Sequence, residues 1–245
     1  MQTLRYRIRK PRFNARPVNR FPGGRRAFLV WIGLQVVAAE VGVGQDSRWV
    51  VYGLIGINLL VHLLWLMYGV KSEAGAEWMT DQFTLSFSGL MAGRVWTLLT
   101  SVFSHVDSTH FLFNMFALYG FGGTVIQVIG VRRFLGLYFV GGLLSSVGFV
   151  VWQVVAGETS VALGASGAVM AVAVVFAALF PKAILRINFI FPVPAVLAVA
   201  GFILLDLLGI LVDFDATVAH AAHLGGAAYG LLYWFVALRG RLRVS

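Results

Sequence analysis

Ser166 stands in VALGASGAVMAV with Gly164 and Gly167 beside it, and His223 stands in AHLGGAAYG, three residues before Gly226 and seven before Gly230. A serine hydroxyl becomes a nucleophile when an imidazole is placed to take its proton, so these two residue types define the first chemistry to weigh. Each half is commonplace alone, because serine and glycine are ordinary at helix contacts inside membranes and polar side chains there often only hydrogen-bond. Spacing joins the halves. Gly226 and Gly230 form a GxxxG face on the stripe that carries His223, and Gly164, Gly167, Ala168 and Ala171 form a matching small face beside Ser166. Faces of this kind pack backbone to backbone, which would bring imidazole and hydroxyl together. His110 and Asn114, in STHFLFNMFALYG, share one helix face at i and i+4. Alone, that pair reads more readily as interhelical hydrogen bonding than as a site.

The elements that carry these residues are membrane helices. Apolar residues make up 59% of the 245 and charged residues 12%, about half the charge of a soluble domain. Runs such as VVYGLIGINLLVHLLWLMYG (50–69) match the ~20 residues that cross a hydrocarbon core. They lack the alternation of a membrane β-barrel, so the predicted fold is an all-α bundle of six transmembrane helices near 50–69, 107–129, 134–154, 164–180, 194–212 and 218–238. The fourth is short and ends at Pro181, so Ser166 should begin its helix below the outer surface, where a helix start presents free backbone N–H groups.

Charge sets the orientation. Nine Lys/Arg lie between Arg5 and Arg26, and with Arg132/Arg133, Lys182/Arg186 and Arg239/Arg241/Arg243 they make 16 of the 19 basic residues. Acids gather in the alternate connections: Glu73, Glu77, Asp81 and Asp107, then Glu158, then Asp213 and Asp215. Basic flanks stay cytoplasmic, which places both termini inside and makes an anionic lipid surface, not nucleic acid, the partner of the basic patches. Residues 1–49 are read as a basic cytoplasmic tail with an interfacial apolar segment at 27–44, interrupted by Gln35 and Glu40. Residues 50–245 are the membrane-embedded domain. An arginine-rich, acid-free start also suits a mitochondrial presequence, but its scarcity of serine argues against that, and the expected location is a bacterial inner (plasma) membrane. The long outer connection 70–106, with Trp78, Phe83, Phe87, Arg94 and Trp96, is of a length that often carries function. The chain has no cysteine, which excludes thiolate chemistry and disulfides.

Four blocks in order, HFLFN (110–114), GASG (164–167), FPVPA (191–195) and AHLGGAAYG (222–230), resemble the rhomboid family of intramembrane serine proteases. The resemblance covers roughly residues 50–238. It implies a six-helix rhomboid-like bundle with Ser166 as nucleophile and His223 as general base. His110, Asn114 and the Ser166 backbone N–H would bind the oxyanion. Gly164 would shape the serine loop, Gly167 would belong to the packing face, and Gly226 and Gly230 would seat the last helix. The family works with a dyad, so no acidic third member, metal or cofactor is implied, and the substrates would be transmembrane proteins. The chain departs from the family at Thr97, where many members have arginine after the tryptophan, and at Met170, where an aromatic often packs on the imidazole. The alternative is a catalytically inactive relative that binds membrane clients, which loss of Ser166 or His223 would mark. Haem or metal carriage by the histidines has no acidic partner or symmetric helix pair to support it.

The orientation is testable because the chain has no native cysteine. With single cysteines at Gln45, Ser72 or Ser245, an impermeant thiol reagent applied to intact cells should label Ser72→Cys alone. Labelling at Gln45→Cys would make residues 27–44 a further crossing.

Overall fold

The structure is a computed structural model that describes residues 35–36, 47–187, 190–212 and 219–240. Most of the tail expected at 1–49 therefore lies outside the described residues, as does the Asp213–Asp215 connection.

Among the described residues, five helices are long and apolar enough to cross a membrane: α1 (Trp49–Gly69), α5 (Ser108–Ile129), α6 (Val131–Ala156), α8 (Ala195–Val212) and α9 (His220–Leu238). Their bounds follow the expected crossings to within a few residues, because long apolar runs in hydrocarbon can satisfy their backbone only as helix. The connection 70–106 is built rather than loose. It holds α2 (Glu73–Phe83), α3 (Phe87–Met91) and α4 (Thr97–Thr100), and a 3₁₀ turn at Ser101–Phe103. Ser72 and Ser86 each accept the backbone N–H three residues on and so start α2 and α3. Polar groups of α6 hold this region. Gln153 accepts from the Phe87 N–H at 2.7 Å, and Ser146 donates to the Leu98 carbonyl at 2.8 Å.

The remaining expected crossing is α7 (Ser166–Leu179), 14 residues. At 1.5 Å per residue it is about 21 Å long, some 9 Å short of the ~30 Å hydrocarbon core. A helix of this length leaves at least one end short of a membrane surface. Its residues are buried nearly all round, from Gly167 through Leu179, as expected of a helix apolar on every face and held at the centre of a bundle.

What lets α9 reach α7 is missing side chains. A Cβ on Gly226 would overlap the Gly167 carbonyl, and one on Gly230 would stand 2.6 Å from the Ala171 carbonyl oxygen. α6 takes part through Gly141, where a Cβ would come within 2.7 Å of the Ala171 methyl, and through Gly148, facing the Ala221 carbonyl at 3.0 Å. The GxxxG face therefore packs on the small face of α7 as the spacing predicts.

The all-α expectation needs a correction. The segment between α7 and α8 forms two strands of a small antiparallel sheet of order β1 (Gln35–Val36), β2 (Ile184–Ile187), β3 (Phe191–Pro194), with β1 coming from before α1. Gln35 pairs with Arg186, Ile184 with Pro194 and Ile187 with Phe191, and the Ala195 N–H continues the ladder to the Ala183 carbonyl at 2.7 Å. The FPVPA block is therefore an edge strand and the first residue of α8. Two prolines one residue apart remove donors that helix needs, but an edge strand can spare them. The pair Gln35–Val36 falls in the segment expected to be interfacial; the rest of 27–44 lies outside the described residues.

Gly226→Ala should overpack this contact by about 1–3 kcal/mol and lower the thermal midpoint in detergent. Gly201→Ala, whose Cβ would meet nothing within 4 Å, should leave it unchanged or raise it. Equal midpoints for the two variants would show that the helices can move apart freely.

Candidate active site

The site is assembled at the start of three helices. α5 begins with Asp107, whose carboxylate accepts the His110 N–H at 2.7 Å, the usual device for satisfying a first-turn donor. That cap fixes the turn carrying His110. Asn114 follows one turn later, 2% exposed, and its amide donates to the His110 carbonyl at 3.0 Å. An amide nitrogen has a second N–H, so this bond leaves donor capacity at the side chain.

α7 begins at Ser166, after a loop pinned on both sides. The Leu85–Ala162 backbone pair closes it against the 70–106 connection, and the Gly164 N–H donates to the Ser101 carbonyl at 2.9 Å. Gly164 adopts φ +127, a conformation side chains rarely tolerate. A Cβ there would come within 2.7 Å of the His110 ring, so glycine is required by conformation and by close approach. His105 secures the next residue, its Nε2 accepting the Ala165 N–H at 3.3 Å. Burial, with His110 and His62 nearby, pushes the His105 imidazole down to about 3. It therefore stays neutral and keeps the lone pair that this bond needs.

α9 brings His223 in its first turn. His223 Nε2 lies 2.8 Å from Ser166 Oγ, within the range of a nucleophile and its base. Of the residues named from sequence, Ser166 and His223 thus meet directly, and the His110 ring packs on Gly164 beside them. Asn114 sits one turn below. Gly167, Gly226 and Gly230 form the backbone contact that holds the pair.

One residue was not named in advance. Asp206, on α8 and almost fully buried, accepts from His223 Nδ1 at 2.9 Å and from His220 Nδ1 at 2.9 Å through the same Oδ1. Where the resemblance implies two members, the structure places an acid behind the imidazole. The signal was available in FILLDLLGIL (202–211), because an ionisable group inside an apolar span is a functional candidate by default.

A small cavity opens beside the hydroxyl, lined by Ser101, Ser145, Ser146, Phe149, Ala162 and Gly164 among others. Carboxylate, imidazole, hydroxyl and adjacent cavity are together the parts that acyl transfer requires.

The Rhomboid domain family model matches residues 92–240, a span that holds the whole arrangement. The chain belongs to the rhomboid family. RHOMBOID-like protein 12, mitochondrial, from Arabidopsis thaliana is 34% identical to this rhomboid over 214 residues, covering 82% of this chain and 62% of that protein. Human presenilin-associated rhomboid-like protein, mitochondrial, is 32% identical over 194 residues, covering 77% and 48%. Rhomboid-like protein 16, chloroplastic, from Arabidopsis thaliana is 30% identical over 212 residues, covering 80% and 65%. The rhomboid spans about half to two thirds of the length of these curated relatives.

Gly164→Ala should combine backbone strain of about 1–3 kcal/mol with displacement of His110. The expected result is a lowered thermal midpoint, against no loss in Gly53→Ala, where a Cβ meets nothing within 4 Å. An unchanged midpoint would show that the serine loop accepts another conformation without penalty.

Proposed function

We propose that this rhomboid is an intramembrane serine endopeptidase that hydrolyses peptide bonds in or near transmembrane segments of other membrane proteins. The observation that carries this reading is the 2.8 Å approach of His223 Nε2 to Ser166 Oγ. Ser166 Oγ attacks the scissile carbonyl carbon while its proton passes to His223 Nε2. The carbonyl oxygen becomes an oxyanion, met by the Ser166 backbone N–H at the start of α7 and by His110 and Asn114. Each such donor contributes about 3–4 kcal/mol when aimed at the developing charge. Collapse breaks the C–N bond, and the leaving amine takes the proton from His223. Water then adds to the acyl ester, giving one proton to His223, and the second collapse frees the carboxyl product and returns the proton to Ser166.

Depth and access follow from the helices. The short α7 sets Ser166 below one surface, and the built connection 70–106 and the cavity beside Gly164 form the water-accessible side. A substrate helix must unwind locally to offer a carbonyl, so segments with glycine or proline, the weakest helix formers, are the expected targets. We take α7 as the sixth crossing, residues 50–245 as the protease domain and both termini as lying on the basic side. Two of the compared relatives are named mitochondrial and one chloroplastic. The bacterial inner membrane expected from the tail finds no support in them and is not retained; an integral, multi-pass membrane location is.

Purified protein in detergent, incubated with a panel of transmembrane substrates, tests the reading. Ser166→Ala and His223→Ala should abolish cleavage with the fold intact, and Asn114→Ala should lower kcat by about 10²-fold with KM little changed. Full cleavage by Ser166→Ala would remove the assignment. No cleavage by the wild type across the panel would favour a client-binding relative. An Asn114→Ala effect confined to KM would make that residue a substrate contact.

A further inference from the structure

The buried carboxylate oxygen shared by two histidines has a geometry that the Ser–His pair alone does not require. We propose that Asp206 and His220 are positioning residues that clamp the His223 imidazole. Both rings donate Nδ1–H to one Asp206 oxygen, which keeps the His223 Nε2 lone pair facing Ser166.

Both Nδ1 atoms stand 2.9 Å from Oδ1, and His223 Nε2 stands 2.8 Å from the serine oxygen. An ionised carboxylate only accepts, and a neutral imidazole has one donor nitrogen and one acceptor. Donation from Nδ1 therefore determines that Nε2 is the acceptor, the form a general base must have. The two helices are matched for this. α8 offers a carboxylate at Asp206 and an empty place at Gly209, one turn on, and α9 answers with His220 and His223 at the same i, i+3 spacing. A Cβ on Gly209 would overlap the His220 ring. Glycine is a poor choice for a helix interior on propensity, and clearance for this ring accounts for it.

His220 and His223 occupy the first turn of α9, the end of a helix that frays most readily. Two bonds to one oxygen tie that turn to α8. The same turn is the positive end of the helix dipole, which disfavours an imidazolium. Asp206 supplies the compensating negative charge when His223 holds the serine's proton. His220 draws on that charge as well, so its contribution is orientation rather than added basicity. The catalytic consequence rests on the protease reading above, whereas the tautomer and the shared bond do not.

The test separates the two. In full-length protein labelled with ¹⁵N-histidine in detergent micelles, on both the wild-type and Ser166→Ala backgrounds, two imidazoles should carry their proton on Nδ1. These are assigned by their loss in His220→Asn and His223→Asn, and both should shift in Asp206→Asn. In cleavage assays, Asp206→Asn should lower kcat by between about tenfold and the roughly 10⁴-fold seen when a triad loses its acid. His220→Leu should lower it about tenfold, the worth of one hydrogen bond to a charged group. KM should hardly move. His220→Asn places an amide N–H near the Nδ1 position and should recover most of the loss, and Gly209→Ala should resemble His220→Leu. A proton on Nε2 of either wild-type ring overturns the clamp, as does a His220→Leu variant that cleaves at the wild-type rate with an unchanged His223 spectrum. If the wild type does not cleave, or Ser166→Ala cleaves as well as the wild type, the protease reading falls while the ring spectra still decide the clamp.

Discussion

Where α9 crosses α7, Gly226 and Gly230 meet the backbone of Gly167 and Ala171 directly, and the geometry of the site depends on that. Hydrogen-bond reach between Ser166 and His223 requires two helix axes closer than ordinary side chains permit, and Gly167 opposite Gly226 removes the obstruction. In lipid, apolar burial between helices gains little, because the alternative surroundings are equally apolar. Close packing of backbone atoms and hydrogen bonds between helices must do what hydrophobic collapse does in water. Glycine at the crossing supplies the first, and Asp206 with its two histidines supplies the second.

Against that constraint, the structure divides into a tight half and a more exposed half. α6, α7 and α9 pack through Gly141, Gly148, Gly226 and Gly230, and α7 is buried on nearly every side. α8 buries few of its residues, among them Asp206 and Gly209. Its polar attachment to α9 thus falls at the point where the imidazole must be aimed.

Much of this was legible in the sequence. Crossing limits could be read because hydrocarbon imposes a length and charge avoids it, and the meeting of Ser166 and His223 because two small faces invite close packing and their blocks resemble a known family in order. The small sheet was not legible. Its strands are two to four residues long, and FPVPA reads equally well as a linker until the partner strand is known. Asp206 was missed for a different reason. Most acids in this chain mark topology, which masks the one in the middle of FILLDLLGIL, although burial without a partner would be prohibitive. Its partners are 14 and 17 residues away, and no local periodicity links them. The close approach of His105 to Ala165 spans 60 residues and is equally invisible to spacing.

The sheet has a consequence for how copies of the chain meet one another. β3 is an outer strand, and its residues take turns facing β2 and facing away. The Ala195 N–H joins the ladder to Ala183, so Val193 and Phe191 share its direction, and Pro192 and Pro194 point outward. Proline has no N–H, so the outward side of this strand presents no backbone donor. An open strand edge is ordinarily a template on which another chain can add itself. Here that edge offers carbonyl acceptors but no donor, and among the described residues no strand pairs with it.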